Sequence, residues 1–213
     1  MADISKIYAL FLKDVKSELR TKFVVTTLLL FILTSVSMFL FGTAGERINN
    51  GIASGFIWII MFFSAMTGLS KSFVAEEERQ TILFLKLTVK PLVVYFGKLF
   101  FNIILNLLLN TLAVLLIFLF IDSVTIKNWE VFILNHILAS IGIAAASTII
   151  SAIITKASAR GAIYPVLSFP VLIPLIIPGI DNTAMALEGA AMADALGNLD
   201  RKSTRLNSSH RIR

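Results

Sequence analysis

Few side chains here have the types and spacing for chemistry. The run Glu76, Glu77, Glu78, Arg79 is the densest charge, but neighbouring helical residues point in different directions and do not build one metal site. Solvated charge or contact with a partner suits that run better. His136, beside Asn135, is the histidine to weigh, since His210 lies in an atypical C-terminal tail. A lone histidine near a membrane interface can ligate haem or shuttle protons, but more often it hydrogen-bonds to a neighbour. Asn102, Asn106 and Asn110 recur at four-residue steps and so share one helical face. Amides cannot face lipid cheaply, so that face meets protein or water, either as interhelical glue or as the lining of a substrate path. There is no GxxxxGK[ST] phosphate loop, no HExxH and no cysteine, which removes the common nucleotide, zinc and thiol chemistries. No catalytic, metal-binding or directly cofactor-binding residue is expected.

The elements that position these residues are membrane spans. Of 213 residues 57% are hydrophobic and 15% charged, with a mean hydropathy of +0.87. The apolar residues lie in blocks of about 20, the length a helix needs to cross hydrocarbon. The fold class is therefore all-α: a polytopic transmembrane helical bundle with five visible spans of an expected six, and in topology it resembles ABC-2-like permeases. The spans are predicted at 23–42, 52–70, 99–121, 131–155 and 162–180. Residues 1–22 read as an amphipathic interfacial helix, with Ile4, Ile7, Tyr8, Phe11, Val15 and Leu19 on one side and basic residues toward anionic lipid. Plain positive flanking of the first span explains the lysines equally well. No signal peptide is expected.

Residues 23–199 form the transmembrane domain. Within it, residues 71–98 are a polar interruption between two long apolar runs, and Pro91 stops any helix before the next span. Pro165, Pro170, Pro174 and Pro178 require the fifth span to be kinked or broken. Asp181–Leu199 reads as a surface segment containing a short helix, and no charge is expected inside any span. Residues 200–213, DRKSTRLNSSHRIR, resemble a translated sequencing adaptor and are set aside as an artefact, with the natural chain continuing beyond. Removing them lowers the net charge from +6 to +2, so the high pI does not argue for nucleic acid. Twelve basic residues on one side of the membrane against two on the other place the N-terminus and the 71–98 segment in the cytoplasm.

Two stretches carry a family resemblance. The run ASGFIWIIMFFSAMTGLSKSF followed by AEEERQTILFLKLTVKP, and the later KASARGAIYPVLSFPVLIPLIIPGI, are similar to the CcmB family. That family supplies the membrane subunit of the haem-exporter-type ABC system of cytochrome c maturation. The resemblance implies that Phe73, Glu76, Glu78, Thr81, Leu85, Leu87 and Pro91 form a cytoplasmic coupling segment that contacts an ATP-hydrolysing CcmA-type partner. It also implies two permease copies, CcmC and CcmD alongside, and residence in the bacterial inner membrane. ATP would be bound by the partner, haem would be handled by the complex, and hydrolysis would release the haem-loaded chaperone CcmE. Two other readings stay open: an ABC-2-type permease exporting lipid, glycan or drug, and a membrane scaffold without an ATPase.

Overall fold

A computed structural model describes residues 2–43, 46–69, 73, 76, 85, 87, 89–155, 160–192, 195 and 197. Among the described residues six long helices follow in order: α1 (Ala2–Thr21), α2 (Phe23–Thr43), α3 (Asn50–Gly68), α4 (Pro91–Phe120), α5 (Trp129–Ile154) and α6 (Arg160–Glu188). No strand occurs among the described residues. The last five helices are each long and apolar enough to span a bilayer. The chain is thus a multi-pass helical membrane bundle.

The central helix is α3. It packs against α2, α4, α5 and α6, and 61% of its apolar window is buried, against 17% for α2 at the periphery. Its small residues permit this: Ser54, Ser64, Ala65 and Gly68 are all buried. The outward faces remain apolar, with Leu30, Met38, Phe41, Leu108 and Leu119 exposed, as lipid contact requires.

Helix α1 packs along α4. Ile7 and Leu10 approach Gly97 so closely that a Cβ there would lie 2.8 Å from the Leu10 Cβ. Lys90 binds Asp3 at 3.0 Å near the start of both helices. The hydrogen bond and charge of Lys90 hold the Asp3 carboxyl below the usual carboxylate range. A lowered folded-state pKa means the contact contributes at neutral pH and is lost as pH falls through that value. Lys22, at φ 51°, separates α1 from α2, and Glu18 Oε1 accepts from the Val25 amide across the break. A left-handed lysine is strained, so Lys22→Gly should raise stability by up to about 1 kcal/mol; the thermal midpoint of the purified chain checks this.

Four sequence expectations change. Helix α4 starts at Pro91, not at 99, because proline at the first helical position needs no amide partner and nothing breaks the following turns. Lys98 therefore lies about two turns inside α4 and is buried, against the expectation of charge-free spans. Helix α6 runs through all four prolines without a break. Pro165, Pro170 and Pro174 are exposed, while Tyr164, Ser168 and Leu172 face the bundle, so the rings occupy the outer side. Residues 181–188 prolong α6 rather than forming a surface segment. Asn182, Thr183, Ala186 and Leu187 are buried, and the α4–α5 turn donates from the Lys127 and Asn128 amides to the Ala186 carbonyl. Gly189, at φ +88°, ends the helix, with the Gly189 and Ala190 amides both donating to the Met185 carbonyl.

Candidate functional site

The charged segment between α3 and α4 is anchored from three sides. At its start, the Phe73 amide donates to Ser151 Oγ of α5 at 3.3 Å. Glu76 then turns inward and is only 5% exposed. Its Oε1 accepts from Lys98 Nζ of α4 at 3.2 Å and from Lys13 Nζ of α1. Asp14 of α1 completes the cluster, 3.3 Å from Lys98 and 3.5 Å from Lys13. Among the described residues, two cations face two carboxylates. The Lys98 ammonium also lies 5.5 Å from the centre of the Phe73 ring, within cation–π range.

The segment residues fall into two groups. Phe73, Glu76, Leu85 and Pro91 border a cavity of about 300 Å³ that Val89, Val94, Lys98 and Ile153 also line. Leu85 is buried, and Glu76 is engaged within the chain rather than solvated as the sequence suggested. Leu87 is 86% exposed, the most exposed large hydrophobic residue among those described, and Pro91 is exposed nearby. Glu78 and Thr81 lie outside the described residues. Sequence reasoning missed Lys13, Asp14 and Lys98. A signal was present: Asp14 falls four residues after Leu10 and seven after Ile7, on the face that meets α4.

The asparagine face meets α5. Asn102 donates to Thr148 Oγ1 at 2.8 Å, Asn106 to the Ser140 carbonyl at 2.9 Å, and Asn110 to Ser140 Oγ at 3.2 Å. All three amides are buried, forming a polar seam between α4 and α5. A second seam escaped the sequence reading. Trp58 of α3 donates to Thr183 Oγ1 at 3.0 Å, and Asn135 of α5 donates to the same oxygen at 2.9 Å and to the Gly179 carbonyl at 3.0 Å. These bonds fasten the proline-rich helix to two neighbours. His136 lies 3.1 Å from Thr111 Oγ1 and stacks on Phe132, at the side of an apolar groove of about 500 Å³. Among the described residues, no group of three His, Cys, Asp or Glu could hold a metal ion.

Five apolar spans, an N-terminal helix and a charged segment gripped at the base of α4 are joined by a sequence-level match. A family model described as "CcmB protein" matches residues 5–201, nearly the whole chain. The chain belongs to the CcmB family. No curated protein and no solved structure gives a significant match. Membership makes this CcmB chain a permease component of the haem-transport and cytochrome c biogenesis apparatus. Its structural role is then that of a membrane subunit working with other components of that system.

Proposed function

We propose that this CcmB chain relays ATP hydrolysis by a separate CcmA-type subunit into the membrane, and that the partner docks on the segment around Leu87. The supporting observation is the contrast within that segment. One part is buried against α1, α4 and α5, while Leu87 projects almost fully free beside Lys90 and Pro91. An apolar side chain held outside the spans on an anchored base is the form a docking knob takes. In this reading the N-terminus and the segment are cytoplasmic, in the bacterial inner membrane. Two permease copies and two ATPase subunits assemble with CcmC- and CcmD-type proteins. The stroke frees the haem-loaded chaperone, with ATP bound in the partner.

Helix α1 is interfacial in the same scheme. Its strip of Ile7, Leu10 and Asp14 faces α4, which leaves Ile4, Tyr8 and Leu19 exposed beside the basic residues Lys6, Lys16 and Arg20. An apolar strip flanked by cations suits the headgroup region of anionic lipid.

The test is Leu87→Asp in the reconstituted complex. A buried leucine is worth about 1.5–3 kcal/mol. Its loss should therefore weaken ATPase-subunit binding by about 10- to 100-fold, with a matching fall in coupled turnover. The melting temperature of the isolated chain should not move, because Leu87 has little packing to lose. Unchanged binding and turnover would refute this docking site.

A further inference from the structure

We propose that Lys98 is a latch cation that locks α1 and the segment residues Phe73 and Glu76 onto α4 as one mechanical unit, so that force on the segment also moves the N-terminal helix. The inference rests on the docking role given to the segment and extends it to α1.

Lys98 joins parts of the chain that are far apart in sequence. Its ammonium contacts Glu76 at 3.2 Å, Asp14 at 3.3 Å and the Phe73 ring at 5.5 Å. A lysine ammonium has three donor directions, and these contacts come from the segment on one side and α1 on the other. Lys13 adds a second tie between α1 and Glu76, but its side chain is 44% exposed, against 4% for Lys98. The backbones also meet here: Gly97, one residue before Lys98, has Leu10 Cβ and the Ile7 carbonyl against it.

A buried ion pair is a poor source of net stability, since apolar residues of similar volume often serve as well. What it supplies is direction. The cation must sit between the two carboxylates, and any sliding of α1 along α4, or of the segment away from α4, separates charges in a dry site. Apolar contacts alone would tolerate such sliding. Helix α1 and the segment therefore have one register on α4.

The latch can be read in the isolated full-length chain without partner or nucleotide. The chain has no cysteine, so nitroxide labels at Tyr8→Cys and Leu87→Cys, both exposed, report only the distance between α1 and the segment. The parent and Lys98→Arg should give one narrow distance distribution. Lys98→Gln should widen it at least twofold, and Asp14→Asn, which releases only the α1 side, should do the same. Distributions as narrow as the parent in both neutral variants would overturn the latch. If Lys98→Gln does not fold, Asp14→Asn decides alone. The distances are independent of docking: a failed Leu87 experiment leaves them standing, and their failure leaves docking standing.

Discussion

Gly179→Ala should destabilise the bundle by about 3 kcal/mol, a cost typical of overpacking with loss of a buried hydrogen bond. A Cβ at Gly179 would lie 1.9 Å from Trp58 Cζ2 and 2.2 Å from its Cη2. The Trp58 ring is fully buried and cannot swing into solvent. Either α6 moves off α3 or the indole tilts and gives up its bond to Thr183 Oγ1. Gly55, on the same helix as Trp58, has nothing within 4 Å of its Cβ position and is the control. Gly55→Ala should be neutral or stabilising by up to about 1 kcal/mol through helix propensity. Thermal unfolding of the two variants in one detergent measures the contrast, and equal midpoints would remove Trp58 from its place as the anchor of α6.

Glu76→Ala should cost about 3–5 kcal/mol, the usual penalty for breaking a buried ion pair by removing one partner. Glu76 is the carboxylate on which two ammonium groups converge, so its loss leaves Lys98 buried with Asp14 as its remaining carboxylate in the cluster. The repulsion between Lys13 and Lys98 is then no longer screened by the carboxylate between them. Lys90→Ala breaks a bridge whose side chains are 74% and 51% exposed and should lower the thermal midpoint only slightly, since water already solvates both charges. Chemical or thermal unfolding of both variants tests the difference. Equal effects would mean that the inner cluster is as wet as the outer pair.

The two variants bear on function in different ways. Glu76 and Leu85 are buried, so charge reversal there reports on folding before it reports on any partner. Leu87 is the position where the two can be separated.

Local pattern determined much of this protein. Blocks of apolar residues as long as a bilayer is thick specify spans whatever their neighbours do, so five membrane helices were legible directly. So was the need for protein or water, rather than lipid, around Asn102, Asn106 and Asn110, because an amide's cost in lipid depends on the amide alone. The two stretches that resembled CcmB pointed to the family that the match over residues 5–201 then established. Tertiary structure decided what depends on facing surfaces. Four prolines each remove a backbone bond wherever they sit, but Pro165, Pro170 and Pro174 are exposed and the face carrying Tyr164, Ser168 and Leu172 stays packed, so α6 continues as one helix. The alanine-rich residues after Ile180 look too weakly apolar to be buried until α6 packs on α5 and the Ala186 carbonyl receives the α4–α5 turn. Nothing local marks Lys98 and Glu76 as partners, since each reads as an ordinary flanking charge. Their pairing exists because α1 packs against α4 and buries both side chains, and the energy of a charge is set by what surrounds it.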